Sequence, residues 1–287
     1  MHNHTKGLIV TALGVLCVVP DSLFVRLIEA DPMTIAFWRG LTAGLIVLIF
    51  VLTTQGIKAF APVLRTGWSG VVYTLLMGST APAFVLAVTQ TSVANVVFIF
   101  ASMPMFAALW SRALLHEPVS KRIVATMGVV FCGLAIIAYG SGESERASWK
   151  GDVWALYVSF AYAAALTAVR QMKEISMVPA VSIAYLGAAC VIAIFYPLAD
   201  GFAANWHLYL GHGAFIGVAT CLLTLGPRYI TSSEVSLLIL LESVLAPLLV
   251  WAVIGEHPGR YALLGGFIVI GALVASNLWA LRRTNEI

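Results

Sequence analysis

Apolar residues run along this chain in blocks of about twenty, separated by short breaks that carry Pro, Gly, Asn and charged residues. A block of about 18 or more apolar residues is long enough to cross the hydrocarbon layer of a bilayer as a helix. Ten such blocks are predicted, at about 7–28, 32–53, 67–89, 92–115, 121–140, 151–171, 178–198, 211–226, 232–254 and 259–280. The eighth is the shortest. Most breaks are brief, such as Asp31-Pro32, and one is longer and charged, residues 141–150. That break divides the chain into two units of five spans, 1–140 and 151–287.

Composition agrees with the pattern. The chain is 61% hydrophobic and 10% charged, with mean hydropathy +0.96, whereas a soluble domain carries about 25% charged residues. The fold class is an all-α polytopic membrane protein, and the lipid bilayer is its first partner. A net charge of +3 gives no reason to expect nucleic acid. Lys6 precedes the first apolar block, but no small-residue cleavage site follows, so this block reads as a retained helix. Cys17, Cys132, Cys190 and Cys221 all lie inside apolar blocks, with no CxxC spacing and no His/Cys cluster. They read as small packing residues, and no metal or other cofactor is expected.

Eleven of the 16 Lys and Arg residues fall on the side of the N-terminus, four fall on the other side, and Arg39 lies within span 2. The positive-inside bias then places both termini in the cytoplasm. The two halves repeat. Thr91-Ser92 and Thr231-Ser232 open spans 4 and 9, Glu117 and Glu256 follow them, and Thr80 and Thr220 lie 140 residues apart. Five spans is an odd number, so the second copy enters the membrane from the opposite side. Inverted repeats of this kind typify secondary transporters, with the solute site near the midplane where the halves meet.

Phe37-Trp38-Arg39-Gly40 in span 2, the repeat ends Glu117 and Glu256, and Trp149-Lys150-Gly151-Asp152 opening the second half resemble the EamA-type transporters of the drug/metabolite transporter superfamily. The resemblance covers roughly 7–280. It implies a ten-helix carrier, with spans 5 and 10 at the periphery. Many such carriers are exporters of amino acids and other small metabolites in the bacterial inner membrane. Relatives often have Glu-Pro in span 9, whereas here Ser243 follows Glu242.

Several residues could carry chemistry. Glu242 lies about ten residues into span 9, so about 15 Å deep. An ionised carboxylate there is costly, and intramembrane ionisable residues are functional candidates by default. It could carry a proton, contact a solute ammonium group, or serve only as a hydrogen-bonded acid between helices. Asp21 and Arg39 lie at similar depth in spans 1 and 2 and read as a buried ion pair, either a structural pin or a gate. Pro20 beside Asp21 is expected to kink span 1.

Gly78–Pro82 and Gly217–Cys221, containing Thr80 and Thr220, occupy matching places in spans 3 and 8 and read as interrupted helix or as close packing. Phe98, Tyr162 and Tyr185 near mid-depth could wall a pocket or simply pack. Asn95 could bind solute or bond between helices. His116 and His257 read as solvated helix ends.

The expected function is secondary transport of a small organic solute by alternating access, with export of amino acids or related amphiphilic metabolites implied by the resemblance. A channel or uncoupled facilitator would leave much the same sequence, and protons are one candidate coupling partner. Monomer and homodimer both stay open. No nucleophile–base pair lies inside a span and no P-loop occurs, so no catalytic residues are assigned and an intramembrane enzyme is the weaker alternative.

Overall fold

The computed structural model describes residues 2–116, 121–140, 147–172, 174–198, 202–226, 229 and 232–284, all in helices and short connections. Glu117 and most of the break at 141–150 lie outside the described residues, as does Thr231.

The first half comprises α1 (His2–Val18), α2 (Asp21–Leu27), α3 (Pro32–Thr54), a short α4 (Phe60–Leu64), α5 (Trp68–Gln90), α6 (Val93–Phe100), α7 (Met103–Leu115) and α8 (Lys121–Gly140). The second comprises α9 (Trp149–Gln171), α10 (Val178–Phe195), α11 (Phe202–Leu225), α12 (Ser232–Ile254) and α13 (Arg260–Thr284). Among the described residues, eight helical segments are long and apolar enough to cross a membrane. The ninth and tenth predicted spans appear as shorter apolar stretches, Leu241–Ile254 and Arg260–Ser276. Large apolar side chains such as Phe195 and Phe267 stand 80% and 78% exposed, as lipid-facing residues do.

Local sequence explains the helix ends. Asp31 caps α3, its Oδ2 accepting from the N–H groups of Met33 and Thr34 at 2.9 and 3.3 Å, with Pro32 at the first helical position. Ser92 caps α6 and Ser148 caps α9 in the same way. Span 1 breaks at Val19-Pro20, where proline has no N–H to continue the ladder, and α2 restarts at Asp21.

Span 4 also breaks, at Ala101-Ser102 between α6 and α7. Spans 3 and 8, read as interrupted or as closely packed at their small-residue segments, are continuous helix there. Helix α5 runs through Gly78–Pro82 with Pro82 inside it, and α11 departs from helical geometry at Asn205 rather than at Gly217–Cys221.

The two halves run in opposite directions. Corresponding helices α8 and α13 are antiparallel: Gly140 meets Tyr261, Gly133 meets Gly265 and Val269, and Arg122 Nη1 donates to the Ser276 carbonyl at 2.6 Å. Helices α3 and α10 are also antiparallel, Gly40 lying against Ala189 and Gly44 against Leu186. Much of the remaining packing crosses between halves. Helix α1 packs on α11 as α9 packs on α5, and α3 packs on α11 as α10 packs on α5. Helices from both halves therefore surround a common interior, with α8 and α13 paired beside it.

Candidate functional site

That interior holds a cavity whose empty space, including what is open to solvent, is about 860 Å³. Asp21, Arg39, Thr80, Tyr162, Tyr185, Thr220 and Glu242 all contribute to its wall, from seven different spans. The rest of the lining is apolar, including Phe84, Phe100, Met103 and Ile216. An apolar cavity with a few convergent polar groups has the form of a small-molecule site.

Asp21 and Arg39 form one buried unit. Arg39 donates from Nε to Asp21 Oδ1 at 3.0 Å and from Nη2 to Oδ2 at 2.6 Å, a bidentate pair with both side chains 6% exposed. The guanidinium carbon lies 5.2 Å from the ring centre of Phe84 and 5.8 Å from that of Tyr185, so aromatic faces cover the cation. His212 Nε2 also hydrogen-bonds Asp21 Oδ1, and the His212 ring, fully buried, stacks on Phe24 with centroids 5.3 Å apart. Sequence reasoning missed His212, although a histidine inside an apolar block is itself a signal of this kind.

Glu242 differs. Among the described residues its carboxylate has no hydrogen-bond or ion-pair partner, and it is only partly buried, on the cavity wall. The hydroxyls around the cavity are committed elsewhere. Thr80 Oγ1 donates to the Met77 carbonyl at 2.8 Å, and Thr220 Oγ1 donates to the Ile216 carbonyl at 2.7 Å. With its proton thus spent, Thr220 accepts from the Tyr185 hydroxyl at 3.3 Å.

Two predicted residues stand apart from the cavity wall. Phe98 lies in the core beside α13, its ring covering Gly266, where an added Cβ would come within 2.5 Å. Asn95 is buried near the start of α6, where its Nδ2 donates to Thr91 Oγ1 at 3.3 Å and to Asp152 Oδ1 at 3.1 Å.

Asn95 belongs to a polar cluster at the end of the bundle opposite the N-terminus. Thr91 Oγ1 donates to Asp152 Oδ1 at 2.8 Å and accepts from the Ser148 N–H at 3.2 Å. Arg26 Nη2 donates to the Thr91 carbonyl at 2.8 Å and to Glu256 Oε1 at 3.2 Å, and Arg26 Nε lies 3.0 Å from Oε2. Glu256 Oε1 also accepts from the Val93 N–H at 2.9 Å, at the start of α6. The sequence marked Glu256 only as a repeat end, beside a solvated helix end at His257. Gly255, at φ +69°, ends α12, and Glu256 turns inward until it is 8% exposed. His257 does stay exposed, accepting from Trp251 Nε1 at 3.3 Å. The cluster ties span 1, the turn between spans 3 and 4, the start of span 6 and the end of span 9.

The EamA-like transporter family matches this chain twice, over residues 5–139 and 149–278. A solved structure described as "Crystal structure of protein" superposes with a TM-score of 0.70 at 17% identity, over 97% of this chain and 99% of that one. At that identity the likeness concerns the fold. No curated protein matches the sequence.

Proposed function

The chain belongs to the EamA-like transporter family, and from that premise we propose that it is a secondary carrier moving a small amphiphilic metabolite, an amino acid or a related amine, out of the cytoplasm by alternating access. One observation carries the reading: residues from both antiparallel halves converge on a single cavity that contains an unpaired carboxylate. A site shared by two opposed halves can be exposed to either face when one half rocks against the other.

In this reading ten spans cross a bacterial inner membrane, with both termini inside and units 1–140 and 151–287 as the two halves. The polar cluster around Arg26 and Glu256 then closes the outer end. Asp21, Arg39 and His212 hold spans 1, 2 and 8 together at the cavity wall. Thr80, Thr220, Tyr162 and Tyr185 line the path, and Glu242 takes the positive group of the solute or a proton. One carboxylate in an apolar cavity cannot satisfy both at once without a second negative charge, which gives solute and proton movement a direct physical link.

Purified protein in liposomes tests this. A carrier gives uptake of a labelled amino-acid and amine panel that saturates with concentration and leaves the solute unchanged. Flux linear in concentration indicates a channel, and chemical turnover indicates an enzyme.

A further inference from the structure

Building on that carrier reading, we infer that the cavity selects solutes with one positive charge and an apolar or aromatic body, and disfavours those that also carry a free carboxylate. What a ligand can bind is set by which polar atoms on the wall remain available.

A solute carboxylate needs a donor. Arg39 is the cation on the wall, but Asp21 occupies two of its donors and the rings of Phe84 and Tyr185 flank it. Its remaining nitrogen, Nη1, makes no hydrogen bond, yet it is buried with essentially no accessible surface. His212 is fully buried behind Asp21. The Thr80 and Thr220 hydroxyls have given their protons to carbonyls of their own helices, and the Tyr185 hydroxyl is directed to Thr220. Apart from that enclosed guanidinium, the Tyr162 hydroxyl is the one uncommitted donor among the described polar side chains of the wall. A carboxylate left with one neutral donor in an apolar cavity bears most of its desolvation cost.

An ammonium group meets the opposite situation. Among the described residues Glu242 offers two oxygens without a partner, and Thr80 offers the lone pairs left after it donates to Met77. The Asp21 and Arg39 charges cancel, so ionisation of Glu242 against an incoming cation gives the wall its net charge. Phe84, Phe100 and Tyr162 supply faces for an apolar or aromatic body and for cation–π contact. The cavity therefore reads the amine end of an amphiphile and has almost nothing with which to read an acid end.

The test compares three solutes of one shape in proteoliposomes, with uptake by protein-free liposomes subtracted. L-phenylalaninamide is a monocation, L-phenylalanine a zwitterion and N-acetyl-L-phenylalanine an anion. The expected order is amide over amino acid by at least about tenfold in uptake efficiency, since a stranded polar group discriminates more strongly than lost apolar contact, with the anion at background. Glu242→Gln should abolish amide uptake while remaining monodisperse in detergent, and Glu242→Asp should retain part of it. Saturable uptake in which phenylalanine equals or exceeds its amide overturns the inference and leaves the carrier reading intact. Saturable amide uptake that survives in Glu242→Gln overturns it as well. No saturable uptake of any of the three by the wild-type protein overturns the inference and counts against the carrier reading itself.

Discussion

Arg39 grips both carboxylate oxygens of Asp21 across the first two spans, at 3.0 and 2.6 Å, with both side chains almost wholly withdrawn from solvent. Removing either partner alone leaves a buried charge uncompensated, which typically costs about 3–5 kcal/mol. Asp21→Asn and Arg39→Met should each lower the detergent melting temperature sharply. The double variant should lose much less than the sum of the two, and a double-mutant cycle on melting curves checks this. Additive losses would mean that the pair is not a unit.

Arg26 and Glu256 join the end of span 1 to the end of span 9, and Glu256 also holds the first N–H of α6. Glu256→Ala should loosen that end of the bundle. A single cysteine introduced at Val18 on the cavity wall, in a chain with its four native cysteines replaced, should react faster with an impermeant maleimide added from that side. A shift of 1–2 kcal/mol in the closed state would raise the rate by about fivefold to thirtyfold. An unchanged rate would make the cluster a static support.

Close helix contacts set a third expectation. A side chain at Gly151 would place its Cβ 2.6 Å from the Thr91 amide nitrogen, backbone that cannot swing aside, whereas Gly128 has nothing within 4 Å. Gly151→Ala should cost about 1–3 kcal/mol, and Gly128→Ala should leave the melting temperature unchanged or slightly higher. Equal effects at the two positions would contradict the packing.

The limits of sequence reading here have a geometric cause. Counting residues along a span gives depth, because the helical rise is fixed. Depth was enough to bring Glu242, Thr80, Thr220, Tyr162, Tyr185, Asp21 and Arg39 forward, and all seven contribute to one wall. Depth does not say which way a residue faces when the whole helix is apolar. Phe98 is at cavity height but turns toward Gly266, and Asn95 serves the Thr91–Asp152 cluster.

The break in span 1 was legible because Pro20 has a fixed local effect. The continuity of α5 through Pro82 was not, because neighbours decide it. Glu256 escaped because its burial depends on the turn at Gly255 and on Arg26, 230 residues away.

The most direct measurement is proteoliposome uptake of a solute found to be transported, by wild type and Glu242→Gln, with and without a pH gradient. Saturable uptake that responds to the gradient is expected in the wild type, and loss of both uptake and response in the variant. Equal, gradient-insensitive uptake by the two proteins would contradict this expectation and return Glu242 to a structural role in the wall.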